Sequence, residues 1–275
     1  MNESFQDIEI IAKPILKWAG GKTQLLKEII PRMPIGYNNY IEPFLGGGAL
    51  FFALSPVHAR ISDSNPELIN LYNEIVKDVE SIISDLKGFK NNKEDFYRIR
   101  SYDWDSLPKH LAAARTIFLN KTCFNGLFRV NKKGKFNVPY GNNKRANFCD
   151  ENALRKAAII LSRVTISCVD YHQALMSFAQ PGDFIFLDPP YIPINKCADF
   201  KRYTKEQFSI QDQIQLADDV NTLHERGCYV MLTNSNHPLV YKLYGNYKIE
   251  SFQTRRSISK DATNRTGEDV IVTTY

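Results

Sequence analysis

The stretch FIFLDPPY, residues 184–191, indicates a buried strand that ends at a carboxylate. Four consecutive apolar residues suit a strand covered on both faces, as in the centre of an α/β sheet. The two prolines fix φ and remove two N–H donors, so the segment after the strand presents acceptors and no donors. The Asp188 carboxylate, the Pro189 carbonyl and the ring of Tyr191 therefore suit a planar group with two N–H bonds, such as an exocyclic amine. The alternative is a plain strand-ending turn, which a sequence as specific as Asp-Pro-Pro-Tyr disfavours.

Other segments of the chain predict the rest of a sheet. A helix is expected to begin at Pro66, after a polar cap and before an acid, and another to cover residues 211–226 and stop at Gly227. Strands that alternate with helices predict a doubly wound α/β sheet of seven strands. The strand segments are YIEPF (40–44), RIS (60–62), VTISCVD (164–170), DFIFLD (183–188), CYVMLTN (228–234), YKIESF (247–252) and DVIVTTY (269–275).

The interval between the second and third strands is too long for a simple crossover. We therefore expect a main domain made of residues 1–65 and 164–275, with an inserted, mostly helical subdomain over 66–163. Within the insertion, FRVNKKGKFNVPYG (128–141) places strand-like runs on either side of a Lys-Lys-Gly turn, which predicts a β-hairpin.

The distribution of charge points to the same insertion. The chain has 275 residues and a net charge of +5, but residues 120–147 contain seven Lys and Arg and no Asp or Glu. A basic run of this kind is usually a solvated loop. Here four aromatic residues are interleaved with the cations, which favours a nucleic-acid surface. These aromatics are Phe124, Phe128, Phe136 and Tyr140.

The cysteines and the apolar runs indicate the compartment. Five scattered cysteines with no C-x-x-C pair argue against a disulfide framework or a zinc site, and no metal site is expected. We see no secretory leader in the first residues and no apolar run of membrane-spanning length, so the expected location is the cytoplasm and no membrane partner is expected.

The segment KWAGGKT, residues 17–23, ends like a phosphate-binding loop. That loop requires a glycine five positions before the last one, where this chain has Leu16. A nucleoside-triphosphatase is therefore disfavoured. The alternatives are a Gly-Gly turn ahead of a helix that starts near Thr23, or a site for another ligand.

A second glycine-rich turn follows the first strand. In YIEPFLGGGALFF (40–52), glycines after a buried strand let the backbone approach a ligand at the carboxyl edge of the sheet. Asp63 ends the next strand, 17 residues after Gly46, and an acid in that place can bind ribose hydroxyls. The alternative for Asp63 is an acid at a helix N-terminus beside Asn65, and both interpretations remain open.

Together these motifs resemble the Dam-type adenine-specific DNA methyltransferases, which use S-adenosylmethionine and modify GATC sites. The resemblance runs nearly end to end through KWAGGK, EPFLGGGALFF, DSNPELINLY, NGLFRVNKKGKFNVPYG, FIFLDPPY and RRSISK (255–260). It implies a Rossmann-like methyltransferase fold, an inserted target-recognition subdomain and methyl transfer to N6 of adenine in duplex DNA. The base would be flipped out of the helix to reach the site.

The resemblance also implies roles for individual residues. Arg129 matches the arginine that reads guanine, which suits a side chain able to bind O6 and N7 together; a phosphate contact or a solvated charge are its alternatives. The implied catalytic residues are Asp188, Pro189, Pro190 and Tyr191. The implied cofactor residues are Trp18, Gly21, Lys22, Glu42, Phe44, Gly46, Gly48, Asp63 and Asp188. The implied DNA-binding residues are Asn125, Arg129, Asn131, Lys132, Lys133 and Pro139.

Two other functions stay open from the sequence. Enzymes with a similar Asp-Pro-Pro-Tyr motif methylate other planar amines, such as cytosine, RNA guanine or protein glutamine. A DNA-binding module without catalytic activity is the second alternative. The expected partners are double-stranded DNA and, in a restriction-modification system, a cognate endonuclease; a monomer or weak dimer is expected.

Overall fold

The chain folds around one mixed β-sheet. The computed structural model describes residues 12–18, 20–193, 208–255 and 266–275. The predicted strands are confirmed, in the order β3-β2-β1-β4-β5-β7-β6. Strands β1 to β5 are parallel to one another, and β7 is antiparallel to β5 and β6. The strands are β1 (Tyr40–Glu42), β2 (Ala59–Asp63), β3 (Thr165–Cys168), β4 (Phe184–Leu187), β5 (Tyr229–Ser235), β6 (Lys248–Arg255) and β7 (Thr266–Thr273).

Helices connect these strands, and the capping signals in the sequence place their ends. Pro66 begins α3 as predicted, because the Asn65 side chain accepts hydrogen bonds from the Glu67 and Leu68 amides. Near Thr23 the structure has a 3-10 turn, Lys22–Gln24, just before α1. The helices are α1 (Leu26–Ile29), α2 (Ala49–Leu54), α3 (Pro66–Gly88), α4 (Lys93–Ser101), α5 (Lys109–Thr122), α6 (Glu151–Leu161), α7 (Tyr171–Phe178), α8 (Ile210–Glu225) and α9 (Pro238–Tyr244).

Both faces of the sheet are covered, which confirms the doubly wound architecture. Phe184 and Phe186 of β4 belong to the apolar core on one face, and Ile185 and Leu187 to the core on the other. All four are at most 1% exposed, and burial of each contributes about 1.5–3 kcal/mol. Apolar residues of α3 cover the first face, and those of α7, α8 and α9 cover the second.

The parallel strands bring their polar ends to one edge of the sheet. Glu42 ends β1, Asp63 ends β2, and Asp188 directly follows β4. Strand β1 lies between β2 and β4, so the chain order reverses there. In open α/β sheets a ligand crevice lies outside the carboxyl ends of the strands at this kind of position.

The helices between β2 and β3 pack onto the sheet through a shared core. Phe96 of α4 and Phe118 of α5 lie in the same apolar cluster as Phe184 of β4. A buried ion pair between Arg115 and Glu67, with nitrogen and oxygen 2.8 Å apart, ties α5 to α3. No helix in the described ranges is long and apolar enough to span a membrane.

The expected β-hairpin is present, but its two antiparallel arms pair at a single position. Val130 pairs with Phe136 as an isolated bridge, and the Asn131 amide donates to the Lys135 carbonyl over 2.9 Å. The pairing does not extend because the returning chain crosses to a different partner. Tyr140 pairs with Cys123, so residues after the turn lie along the end of α5.

Candidate active site at the carboxyl edge of the sheet

The Asp188 carboxylate is the centre of the site. It directly follows β4 and is 20% exposed. The Lys22 ammonium lies 2.6 Å from Oδ1 and 2.8 Å from Oδ2, and the Thr233 hydroxyl donates to Oδ1 over 2.9 Å. A carboxylate has about four lone-pair positions. These contacts use three of them, so one position on Oδ2 has no donor among the residues that the structure describes.

Lys22 lies against the predicted catalytic residues Asp188 and Tyr191 and against its own Gly20 turn. Only 5% of the residue is exposed, and its ammonium also binds the Gly20 carbonyl and lies 4.6 Å from the centroid of the Tyr191 ring. The Gly21 amide donates to the Trp18 carbonyl over 2.9 Å, which closes the turn that carries Lys22 inward. A buried ammonium is stable here because the carboxylate and the ring compensate its charge.

The segment after Asp188 has the donor-poor backbone that its prolines predict. Pro189 is buried, and in the described part of the chain no hydrogen-bond donor reaches its carbonyl oxygen. The Pro190 carbonyl accepts from the Gln213 side chain over 2.8 Å. The Pro189 carbonyl and the remaining position on Oδ2 of Asp188 therefore form a pair of acceptors at the end of β4.

The glycine turn after β1 is held by side chains and by Trp18. The Gly46 amide donates to Oδ2 of Asp63 over 2.9 Å, and the Tyr72 hydroxyl donates to the Gly46 carbonyl over 2.8 Å. Gly46 and Gly48 have φ of +48° and +64°, which favour glycine. A Cβ on Gly46 would lie 2.7 Å from Nε1 of Trp18, so the indole packs directly on this turn.

Asp63 organises the turn beside the crevice. Its Oδ1 accepts from the Asn65 amide over 2.9 Å, while Oδ2 accepts from Gly46. Burial raises the pKa of Asp63, and these backbone N–H groups act in the opposite direction. The side chain that caps α3 is Asn65, and Asp63 binds both the glycine turn and the backbone amide of that cap.

Glu42 is a buried carboxyl group beside two other acids. It is 2% exposed, and the Tyr40 hydroxyl donates to its Oε2 over 2.8 Å. Burial raises the pKa of Glu42 to about 8, the Tyr40 hydrogen bond opposes the shift, and the charges of Asp188 and Asp63 add to it. At neutral pH Glu42 is therefore mostly protonated.

An aromatic cluster lines the region after β1 and β3. The ring of Phe44 stacks on Tyr171, with centroids 5.0 Å apart and an interplanar angle of 24°. Phe208 meets Phe44 edge-on at 5.8 Å. Aromatic faces, carboxyl oxygens and a glycine turn are the groups that a cationic nucleoside with ribose hydroxyls requires, so these residues fit a methyl donor of the S-adenosylmethionine type.

Four of the predicted DNA-binding residues, Arg129, Asn131, Lys132 and Lys133, lie in the hairpin turn of residues 129–137. Nε of Arg129 donates to Oδ1 of Asn137 over 2.8 Å, which orients the half-buried guanidinium. Oδ1 of Asn131 accepts from the Lys133 and Lys135 amides, so this side chain builds the turn itself. Lys132 and Lys133 are exposed at its tip.

The aromatic residues of the basic segment, residues 120–147, mostly pack into the core and are not exposed for stacking on a nucleic acid. Phe128 and Phe136 are 3% and 6% exposed, and Phe128 stacks on Trp18 with centroids 5.0 Å apart. Tyr140 is half-buried and donates to Asn91. These rings recur in the sequence because the hairpin packs its apolar side chains inward. Phe128 contacts Trp18, which in turn packs on Gly46.

The remaining predicted DNA-binding residues are exposed beside Phe124. Asn125 has φ of +55°, and the Pro139 carbonyl accepts from the Phe124 amide over 2.9 Å. Phe124 itself is 45% exposed. Of the motifs that carry the resemblance, RRSISK lies outside the described residues except for the backbone of Arg255.

One buried amide joins the KWAGGKT segment to the basic segment. Asn120 of α5 is fully buried; its Oδ1 accepts from the Lys17 amide over 2.8 Å, and its Nδ2 donates to the Lys17 carbonyl over 2.7 Å. The same Nδ2 lies 3.3 Å from the Gly126 carbonyl. Asn120 was not predicted, because a single polar residue inside a helix leaves no recognisable pattern.

Other contributing residues were also missed, although some had a signal. Thr233, Asn234 and Ser235 end β5 at the same edge as Asp188, so the strand-end logic that found Asp63 applies to them. Gln213 and Tyr171 lie in helices, where nothing local marks them. Among the described residues, no group of three His, Cys, Asp or Glu side chains could hold a metal ion.

Strand β7 lies between β5 and β6 and is antiparallel to both, and the acceptor pair of Asp188 and Pro189 follows β4. The family described as D12 class N6 adenine-specific DNA methyltransferase has a model that matches residues 18–258, and the chain belongs to this family.

Similar proteins support the same assignment. The chain is 39% identical to the Type II methyltransferase M1.LlaDCHI of Lactococcus lactis subsp. cremoris, over 98% of each chain. It is 39% identical to the Type II methyltransferase M.MjaIII of Methanocaldococcus jannaschii, over 90% of this chain and 93% of the other. It is 32% identical to a DNA adenine methylase of Vibrio cholerae, over 96% of each. The protein is thus an adenine-specific DNA methyltransferase, and its family implies a methyl donor of the S-adenosylmethionine type.

Proposed function

We propose that this enzyme methylates N6 of adenine within GATC sites of duplex DNA, on a base flipped out of the helix, with S-adenosylmethionine as donor. The observation that supports the proposal is the acceptor pair at the end of β4. One lone-pair position on Oδ2 of Asp188 and the Pro189 carbonyl are available for two N–H bonds. An exocyclic amine has two such bonds.

The acceptors would act on the nitrogen of the target amine. Its lone pair is delocalised into the purine ring, which makes it a poor nucleophile. Hydrogen bonds to Asp188 and Pro189 favour a pyramidal nitrogen and stabilise the positive charge that develops on it. The Tyr191 ring, which already faces the Lys22 ammonium at 4.6 Å, can stabilise the same charge from its π face.

The donor would supply an electrophilic methyl group attached to sulfur when it is bound. We assign its binding to the residues around the glycine turn, namely Trp18, Phe44, Gly46 and Gly48. Asp63 would accept from ribose hydroxyls, because its backbone partners Gly46, Asn65 and Ser64 leave a lone-pair position on the carboxylate. Gly21, Lys22 and Glu42 complete the assignment at the base of the crevice.

Base flipping would follow from the position of the acceptor pair. Asp188 lies at the end of a core strand and cannot enter a stacked duplex, so the base must come to it. Flipping costs a few kcal/mol of lost stacking and pairing. Phosphate contacts from Lys132 and Lys133, exposed at the turn, would offset that cost.

We assign sequence recognition to the 66–163 segment. Asn137 holds the Arg129 guanidinium by its Nε, and a guanidinium oriented in this way can bind guanine O6 and N7 together. Asn125 and Pro139 are exposed close to Phe124 and would support the contact. Asn131 would contribute by shaping the turn.

Digestion of treated plasmid with a panel of methylation-sensitive nucleases tests both substrate and site. Unmethylated plasmid is incubated with enzyme and S-adenosylmethionine, and protection is expected at GATC sites alone. Asp188→Ala should bind duplex DNA and give no protection. Protection at a different sequence would reject the GATC assignment, and normal activity of Asp188→Ala would reject the catalytic one.

The biological setting is a further part of the proposal. Two of the relatives are named as Type II methyltransferases, which supports a role beside a cognate restriction endonuclease. A DNA substrate supports a cytoplasmic location. We propose a monomer or weak dimer, which sedimentation of the free enzyme would test.

A further inference from the structure

A network of buried polar side chains lies beneath the Asp-Pro-Pro-Tyr segment. Gln213 of α8 is 3% exposed, and Asn234 and Ser235 at the end of β5 are 0% and 1% exposed. Asn234 Nδ2 donates to Gln213 Oε1 over 3.2 Å, so the two amides form one unit. Buried polar groups are costly unless they are satisfied, which makes such a unit unusual in a core.

This network binds the backbone on both sides of Tyr191. Gln213 Nε2 donates to the Pro190 carbonyl over 2.8 Å. The Ile192 amide donates to Asn234 Oδ1 over 3.1 Å, and the Ser235 hydroxyl donates to the Ile192 carbonyl over 2.8 Å. Three side chains from two different elements therefore satisfy the backbone groups that the segment turns toward the core.

The distribution of these bonds is selective. The prolines have no N–H groups, and the carbonyls of Pro190 and Ile192 are bound by Gln213 and Ser235. The Pro189 carbonyl, between them and Asp188, accepts from no donor in the ranges that the structure describes. The network thus binds the carbonyl of Pro190, next to Pro189, and leaves the Pro189 carbonyl as the acceptor at the crevice.

We infer that Gln213 and Asn234 are positioning residues for methyl transfer, which hold the Pro189 carbonyl at the orientation that the target amine requires. The inference rests on the proposed function, since it concerns the same acceptor pair. Neither side chain would touch the substrate. Because a displacement of about 1 Å can cost ~100-fold in rate, a clamp on the adjoining peptide matters for the chemical step.

The test compares Gln213→Met with Gln211→Met, an exposed amide on the same helix. Single-turnover methylation of a GATC duplex should slow by about 10- to 100-fold in Gln213→Met only. Dissociation constants for S-adenosylhomocysteine and for DNA should stay within about threefold, because the clamp acts on orientation. Amide exchange of the peptide spanning residues 188–193 should accelerate. A rate equal to that of the control overturns the inference, as does a loss confined to the two dissociation constants.

If the methionine variant does not fold, Gln213→Glu tests whether the hydrogen bond to the Pro190 carbonyl matters for the methylation rate. An ionised Glu cannot donate to the Pro190 carbonyl, whereas a protonated one can. The methylation rate relative to wild type should therefore rise as the pH falls; parallel pH profiles would reject the clamp. A wild-type enzyme that does not methylate DNA would instead refute the proposed function, and the exchange measurement would still test the clamp.

Discussion

The Lys22 ammonium and the Asp188 carboxylate form a two-point ion pair, with distances of 2.6 Å and 2.8 Å to the two oxygens. The pair joins residues 166 positions apart and ties the turn before α1 to the end of β4. It also determines how many lone pairs of Asp188 remain for a substrate. The ion pair therefore holds two distant segments together and also limits the acceptor positions that Asp188 can offer a substrate.

Removing the ammonium should destabilise the protein. Lys22→Met keeps most of the volume but leaves Asp188 near Glu42 and Asp63 without its cation. We expect a loss of about 1–3 kcal/mol in the free energy of unfolding, moderated because Asp188 is 20% exposed. Urea denaturation measures it, with Lys27→Met as control because the Lys27 side chain is 80% exposed. Equal midpoints for the two variants would contradict a stabilising pair.

The Thr233 hydroxyl should matter for catalysis. Thr233→Val has nearly the same shape but loses the hydrogen bond to Oδ1 of Asp188. Hydrogen bonds to charged groups contribute about 1.5–3 kcal/mol, so methylation should slow by about 10- to 100-fold. Thr233→Ser restores the donor and should recover most of the single-turnover rate. A valine variant as fast as wild type would show that the bond has no catalytic importance.

Glu42 should make the stability depend on pH. Its pKa is about 8 in the fold against an ordinary 4.5, so the folded state holds an extra proton between these values. The stabilisation is complete below the ordinary pKa and is lost as the pH rises through the folded one. Glu42→Gln cannot ionise and should gain stability relative to wild type with rising pH, by at most about 1.4 kcal/mol per pH unit. Denaturation curves across this window would refute the prediction if both proteins changed in parallel.

Asn120 should link stability to cofactor binding. Asn120→Leu leaves the Lys17 peptide groups and the Gly126 carbonyl without their partner, at a cost of about 2–4 kcal/mol in unfolding free energy. Asn120→Asp keeps the acceptor for the Lys17 amide but places a buried carboxylate oxygen against the Lys17 and Gly126 carbonyls, so it should lose at least as much. Because Trp18 follows Lys17, both variants should bind S-adenosylhomocysteine more weakly, which calorimetry measures. Unchanged affinity would place the effect of Asn120 on folding alone.

Arg129 and Lys132 should separate base recognition from phosphate binding. Arg129→Ala should reduce discrimination at one guanine by about 1–3 kcal/mol, measured by competition among duplexes that differ at single positions of GATC. Lys132→Ala should weaken all duplexes alike and reduce the salt dependence of binding. If Arg129→Ala also weakened every duplex equally, Arg129 would be a phosphate contact.

The strands and their ends were predictable because their signals are local. Buried runs such as residues 184–187 lie between proline and glycine signals, and their hydrophobicity alone indicates burial on both faces. The helix start at Pro66 was predictable for a similar reason, since its cap lies within three residues. Asp63 and Asp188 followed from their positions at strand ends.

Two interpretations of the basic segment changed in the structure. Aromatic spacing cannot distinguish a ring that stacks on DNA from one that packs inward, and Phe128 and Phe136 are buried. The hairpin pairs over one bridge because its returning chain then pairs with Cys123 at the end of α5.

The sequence by itself determined the sheet, the acceptor pair of Asp188 and Pro189 after β4, and the family, because each depends on residue types within a few positions of one another. Only the tertiary structure decided which lone pairs of Asp188 are occupied, since Lys22 and Thr233 lie 166 and 45 positions away. It alone also revealed the buried amides of Asn120, Gln213 and Asn234. Hydrogen bonds between distant elements form wherever folding brings a donor to an acceptor, and no local sequence pattern predicts which donor and acceptor will be paired.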